Sequence, residues 1–176
     1  DTALRVESRY FAQLLSSQVC KNQIKAFWID LNYIRSGGNR PKGFGKFRPR
    51  KVGIIGAGRM GSGIAYACLD NGMEVVLKDV SKPIAERGLD YVRQRLDQKV
   101  AAGIKNVEER SAILSRIHTT ESSVDFTDCD LVIEAVFENR MVKQKVMREA
   151  EEHMDDYSLF GSNTVSIPIT RLAEGS

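Results

Sequence analysis

The stretch from Lys51 to Asp79 constrains the fold more than any other part of this sequence. Val52-Gly53-Ile54-Ile55 is a short apolar run dense enough for a strand buried on both faces. Gly56-Ala57-Gly58-Arg59-Met60-Gly61 follows it directly as a glycine-rich turn. Ile64, Ala65, Ala67, Cys68 and Leu69 then recur at helical spacing, and Asn71-Gly72 suits a left-handed C-cap. Glu74-Val75-Val76-Leu77-Lys78-Asp79 reads as a second strand that ends in an acid. Together these pieces make one β-α-β unit, whose two strands must run parallel with a helix packed across them.

The alternation continues downstream. Ser81 is placed to cap a helix with Pro83 in its first turn, and Leu89, Val92, Leu96 and Val100 give it an apolar stripe. Gly103 is expected to end that helix, and a shorter one follows around Glu108–Leu114. Asp130-Leu131-Val132-Ile133-Glu134 reads as another buried strand, and Val142, Val146, Ala150 and Met154 mark a helix. Tyr157–Phe160 is expected to be a further strand, with Ser162-Asn163-Thr164 as a turn at its carboxyl end and a last helix from Ile167 to Ala173. The expected fold class is therefore α/β: a Rossmann-type, doubly wound, mostly parallel sheet with a helical insertion after the second strand.

The front of the chain has a different grammar. Leu4, Phe11, Leu14, Leu15, Ile24, Phe27, Leu31 and Ile34 recur at threes and fours, so residues 1–35 read as helices, with a break near Ser16–Ser17. Residues 36–50 are rich in Gly, Pro and basic side chains, which marks a linker; residues 51–176 form the expected Rossmann-type domain, incomplete at its carboxyl end. Arg35, Arg40, Lys42, Lys46, Arg48, Arg50 and Lys51 crowd this stretch and suit either an anionic partner or an extended, self-repelling linker.

Composition excludes several classes. With 42% hydrophobic and 28% charged residues the chain is an ordinary globular mix and not a disordered one. A net charge of +3 is too mild to argue for nucleic acid, and no apolar run is long enough for a membrane span. Cys20, Cys68 and Cys129 lie far apart without CxxC spacing, which fits reduced thiols in a cytosol-like, cytoplasmic compartment. His118 and His153 have no neighbours at metal-ligand spacing, so no metal site is expected and both read as surface or helix-end histidines. No secretory leader is visible, and an opening Asp1 rather than Met is expected of a processed chain or of a piece cut from a longer one.

Gly56 to Gly61 fit the spacing G-x-G-x-x-G, and each glycine has a mechanical reason. The first permits the tight turn, the second lets main-chain N–H groups approach a pyrophosphate, and the third lets helix and strand pack closely. The helix start then directs its free N–H groups at the phosphates. Asp79 stands at the tip of the next strand, where a carboxylate hydrogen-bonds a ribose diol and repels a 2′-phosphate. The expected cofactor is therefore NAD rather than NADP. Lys78 beside it is read as solvated at a strand end.

Two later strings, Val132-Ile133-Glu134-Ala135-Val136-Phe137-Glu138-Asn139 with Lys143 beyond and Gly161-Ser162-Asn163-Thr164, add a resemblance. From about Lys51 onward the sequence resembles the NAD-dependent L-3-hydroxyacyl-CoA dehydrogenases of fatty-acid β-oxidation. Ala3-Leu4, Glu7, Phe11, Leu14, Ser17, Lys21, Gln23-Ile24 and Phe27 resemble the linking helix of the multifunctional type, where an enoyl-CoA hydratase/isomerase half comes first. The chain thus looks like a middle slice of the alpha subunit of a fatty-acid oxidation complex. The resemblance implies that Gly56 through Gly61, with Arg59 and Met60 between, hold the pyrophosphate and that Asp79 holds the adenine ribose. It implies that Val136, Phe137 and Glu138 line the nicotinamide side, that Lys143 and Glu138 reach the nicotinamide ribose, and that Asn163 lies in the turn beside the reacting centre. Read from the residues alone, Glu138 and Lys143 are instead a helix-start acid and a solvated neighbour. The resemblance also implies an acyl-CoA substrate for the parent protein and allows a thiolase subunit as its partner.

Two departures from the family qualify that picture. The family's serine after Asn-Thr is Val165 here, so either Ser166 supplies the hydroxyl through a shifted turn or the step is weakened. The family's catalytic histidine lies beyond the Ser-Asn-Thr turn, and no histidine follows His153 in this sequence. No catalytic residue is therefore assigned, and the chain is expected to bind cofactor without turnover by itself. Another 3-hydroxy-acid dehydrogenase with a GxGxMG turn, or a non-catalytic dinucleotide-binding module, remain the alternatives. Arg93, Arg95 and Lys99 on the inserted helix suit CoA phosphates or, as the plainer reading, a solvated basic face.

Overall fold

A computed structural model describes residues 1–175, which divide into two compact units, 1–47 and 48–175. The first unit is helical: α1 (Thr2–Ser16), α2 (Gln18–Ile24), a π-helical stretch (Lys25–Asp30) and α3 (Leu31–Arg35). Ser17 separates the first two helices, extended itself and accepting from the Cys20 N–H as an N-cap. None of the residues in these helices is buried.

The second unit is built on five strands: β1 (Lys51–Ile55), β2 (Glu74–Lys78), β3 (Ile117–Thr120), β4 (Leu131–Glu134) and β5 (Leu159–Ser162). Their order across the sheet is β3-β2-β1-β4-β5, and every pairing is parallel. The helices are α4 (Arg59–Asp70), α5 (Lys82–Ala101), α6 (Val107–Leu114), α7 (Arg140–Glu151) and α8 (Ile169–Ala173). A 3-10 turn (Ser123–Phe126) precedes β4.

Strand alternation sorts the core onto two faces. Val52, Ile54, Val75 and Leu77 pack with Ala65, Leu69, Leu89, Val92, Leu96 and Ile113 on one face. Ile55, Val76 and Val132 pack with Phe126, Cys129 and Ala150 on the other. A Cβ at Gly53 would stand 2.6 Å from the Phe126 ring, so a glycine within β1 makes room for a fully buried aromatic. Asp130 fixes the start of β1: its carboxylate accepts the N–H groups of Arg50 (2.6 Å) and Lys51 (3.0 Å). Those amides hold its pKa below the usual carboxylate range.

The structure corrects several expectations. β3 was not anticipated: Ile117-His118-Thr119-Thr120 is half polar, yet Thr119 and Thr120 are buried and the segment pairs with β2 as the edge strand. The expected parallel sheet is present, with every pairing parallel. The last strand lies at Leu159–Ser162, two residues later than Tyr157–Phe160, because Tyr157 is almost fully exposed and the ladder pairs Leu131 with Leu159. Ser81 stands at the N-cap of α5 without a side-chain cap hydrogen bond. Lys78 is buried rather than solvated. The basic side chains of α5 are engaged: Lys99 pairs with Asp70 at 2.9 Å over the Tyr66 ring, and Arg93 pairs with Asp90 at 2.7 Å.

Candidate functional site

The strand order reverses between β1 and β4: the chain runs from β1 outward through β2 to β3, then returns to β4 and continues to β5. A crevice at the carboxyl ends of the strands beside such a reversal is where open α/β sheets bind ligands. Gly56 follows β1 there, and Ala135 follows β4. Gly56 has φ +99°, and a Cβ on it would stand 2.8 Å from the Ala135 carbonyl oxygen. Only glycine combines that dihedral with that approach.

The other two glycines of the turn behave differently from each other. A Cβ at Gly61 would fall 1.7 Å from the Gly56 carbonyl oxygen, so α4 sits directly on the turn. A Cβ at Gly58 would meet nothing within 4 Å. Gly58 is the N-cap of α4, has no capping side chain, and is exposed together with Arg59 and Met60. The main-chain N–H groups at the start of α4 thus open onto free space. Ser62 secures the turn from below by donating to the Ala57 carbonyl (2.9 Å). Gly88 of α5 packs against the same point, where a Cβ would come within 2.7 Å of Ala57 Cβ.

Asp79 closes the corner. Its Oδ2 accepts the Ala57 N–H at 2.6 Å and its Oδ1 accepts the Val80 N–H at 2.7 Å. The half-buried carboxylate therefore lies against the glycine turn. These hydrogen bonds leave lone pairs on both oxygens for further donors.

Across the crevice, the loop after β4 presents Val136 half-buried and Phe137 87% exposed. Glu138 binds the turn after β5: its Oε1 accepts the Thr164 hydroxyl (2.6 Å), the Val165 N–H (3.0 Å), and the Ser166 N–H (2.9 Å) and hydroxyl (3.0 Å). The Thr164 hydroxyl and these amides hold the Glu138 carboxyl well below the usual carboxylate range. Val165 projects 97% exposed, and the Ser166 hydroxyl is directed at Glu138.

Lys143 is not a solvated neighbour. Its side chain is 1% exposed, and its ammonium donates to Glu134 Oε1 (2.8 Å) and Oε2 (2.9 Å), to the Asn163 carbonyl (3.2 Å) and to the Val136 carbonyl (3.5 Å). Glu138 Oε2 lies 3.5 Å away. Asn163 is half-buried, and its N–H donates to the Glu134 carbonyl (2.8 Å). The structure thus gathers Val136, Glu138, Lys143 and Asn163 on one side of the crevice and Gly56 to Gly61 with Asp79 on the other. Sequence reasoning missed Glu134 and Ser162 as members of this group. The available signal was an acid at a strand tip nine residues before a lysine on the next helix.

His118 is exposed on the edge strand with its Nε2 3.6 Å from Asp125, and His153 is half-buried after α7. Among the described residues no cluster of three or more His, Cys, Asp or Glu could hold a metal ion, and no helix is long and apolar enough to cross a membrane.

The family described as "3-hydroxyacyl-CoA dehydrogenase, NAD binding domain" matches residues 51–176. A probable 3-hydroxybutyryl-CoA dehydrogenase of Deinococcus radiodurans is 38% identical over 126 residues, covering 72% of this chain and 45% of that protein. A fatty acid oxidation complex subunit alpha of Ectopseudomonas oleovorans is 33% identical over 176 residues, covering 99% of this chain and 24% of that protein. The chain therefore spans less than half the length of either relative. Among solved structures, the (S)-3-hydroxybutyryl-CoA dehydrogenase of Ralstonia eutropha superposes with a TM-score of 0.70 at 36% identity, covering 73% of this chain and 46% of that one.

Proposed function

We propose that this chain, which belongs to the family of 3-hydroxyacyl-CoA dehydrogenase NAD-binding domains, holds NAD across the crevice between β1 and β4. The observation that carries this reading is the corner itself: Asp79 hydrogen-bonded to the Ala57 amide, beside a Gly58 whose missing side chain leaves the start of α4 open. The corner fits a dinucleotide on its own geometry. Gly56, Gly58, Arg59, Met60 and Gly61 would hold the pyrophosphate, and Asp79 the hydroxyls of the adenine ribose. Val136, Phe137 and Glu138 would border the nicotinamide, with Lys143 and Glu138 at its ribose and Asn163 in the turn beside the reacting centre. The cofactor, when bound, supplies the hydride-accepting ring.

The chain's own residues bind and orient. Asp79 selects the unphosphorylated ribose because a carboxylate in its position accepts hydroxyls and repels a phosphate. Glu138 holds the turn of Thr164, Val165 and Ser166 at the mouth of the crevice. For the whole protein we propose oxidation at C3 of a 3-hydroxyacyl-CoA within fatty-acid β-oxidation, in the cytoplasm and with a thiolase subunit as partner. The proton-accepting histidine of that reaction is not assigned to His118 or His153, since neither lies at the crevice-lining strand tips. Cofactor binding without turnover is the behaviour proposed for these residues alone.

Calorimetry with NADH and NADPH, on the native chain and on Asp79→Ala, tests the reading. Native protein is expected to bind NADH, and Asp79→Ala to weaken NADH more than NADPH. Absence of heat at millimolar NADH with a folded sample refutes the cofactor assignment. Equal losses for both cofactors reduce Asp79 to a structural acid.

A further inference from the structure

We infer that Glu134, at the carboxyl tip of β4, is a positioning residue for the nicotinamide half of the site: by joining the Lys143 ammonium to the Ser162 hydroxyl it fixes the loop after β4 against the turn after β5. The inference rests on the dinucleotide reading above and deepens it. Glu134 is 0% exposed, yet its carboxylate is fully engaged. Oε1 accepts from Lys143 Nζ and from the Ser162 hydroxyl, and Oε2 accepts from Lys143 Nζ and the Val136 N–H (3.1 Å). The same residue's carbonyl accepts the Asn163 N–H. Glu134 therefore contacts β5, the loop of Val136 to Glu138, and α7 at once.

Lys143 extends this grip. From its place on Glu134 it reaches the carbonyls of Asn163 and Val136 and stands 3.5 Å from Glu138, which in turn holds residues 164–166. Val136 and Asn163 are thus tied to Glu134 and Lys143 through main-chain hydrogen bonds, and Glu138 to Lys143 through the 3.5 Å ion pair. A buried ion pair is a poor device for stability, because desolvation offsets its attraction. It is a good device for geometry, because a carboxylate accepting four hydrogen bonds from three groups admits one arrangement of them. The pair lies at the crevice end of the sheet, where spacing between the β4 and β5 loops matters to a ligand and little to the core.

The test uses the full chain with two substitutions that leave Lys143 in place. Glu134→Gln removes the charge, and Glu134→Asp keeps it but withdraws the carboxylate by one methylene. ADP probes the glycine corner alone, and NADH probes the corner together with the nicotinamide half. Both variants are expected to bind ADP within about twofold of native protein and NADH about tenfold or more weaker, as for loss of a charge-assisted hydrogen bond. NADH and ADP affinities that change in parallel, or an NADH affinity unchanged in a folded variant, overturn the inference. Loss of folding in both variants assigns Glu134 to the fold and overturns it as well. Failure of native protein to bind either ligand overturns the dinucleotide reading itself, and with it this inference.

Discussion

The same substitution placed three residues apart in the glycine turn should have opposite consequences. At Gly61 a Cβ falls 1.7 Å from the Gly56 carbonyl oxygen, whereas ordinary contact begins near 3.4 Å. Gly61→Ala must therefore push the start of α4 off the turn, against a core where Ala65 and Leu69 are fully buried. Overpacking of this kind costs about 3 kcal/mol. For a unit of this size that lowers Tm by roughly 6–12 °C. At Gly58 the added methyl meets nothing, and φ −70° with ψ −172° is extended backbone open to alanine. Gly58→Ala should cost no more than about 1 kcal/mol, the scale of a changed N-cap. Its methyl would instead occupy the space a pyrophosphate needs, weakening NADH by about tenfold or more. Thermal denaturation followed by circular dichroism, together with calorimetry against NADH, reads both effects. A Gly58→Ala protein that melts as low as Gly61→Ala, or that binds NADH like the native chain, refutes the division of labour among these glycines.

Three further outcomes follow from side chains around the sheet. The Glu138 carboxyl is held below its ordinary value of 4.5 by the Thr164 hydroxyl and the amides of Val165 and Ser166. The stabilisation of that turn is thus fully present above the ordinary glutamate range and is lost only as pH falls through the depressed value. The amide proton shifts of Val165 and Ser166 should stay constant from pH 7 to below 4.5; a titration centred near 4.5 contradicts this. Burial pushes the Cys129 thiol up to about 11, so iodoacetamide at neutral pH should leave Cys129 unmodified in native protein and alkylate it in denaturant. Phe126→Ala empties a fully buried site beneath β1 and should cost about 3–5 kcal/mol in urea denaturation; a loss under 1 kcal/mol, order of magnitude, would mean the core relaxes around it.

The β1–turn–α4–β2 unit was legible because each of its parts carries a local signal: an apolar run, glycines at fixed offsets, helical periodicity, and Asn71-Gly72, with Gly72 at φ +88°. The long α5 was legible from Leu89, Val92 and Leu96, all of which are buried. β3 was not, because Ile117-His118-Thr119-Thr120 lies at the sheet edge, where one partner strand and polar neighbours replace the apolar run of a central strand. Pairing with β2, and not side-chain pattern, makes it a strand. Lys78 and Lys143 were misread for a related reason. A lysine defaults to solvent, and the partner that buries Lys143 is Glu134, which an apolar strand delivers to the interior. The grip of Glu138 on residues 164–166 joins segments 26 to 28 positions apart, a distance over which no local pattern speaks.

An amide-resolved NMR titration of the chain with NADH tests the central claim most directly. The account predicts shifts at Ala57 to Gly61, at Asp79 and Val80, at Val136 to Glu138, and at Asn163 to Ser166. Residues at the amino-terminal end of the sheet, including Glu74, Arg116 and His118 around a cavity there, should stay unchanged. Shifts confined to that opposite end, or none at millimolar NADH in a folded sample, would contradict it.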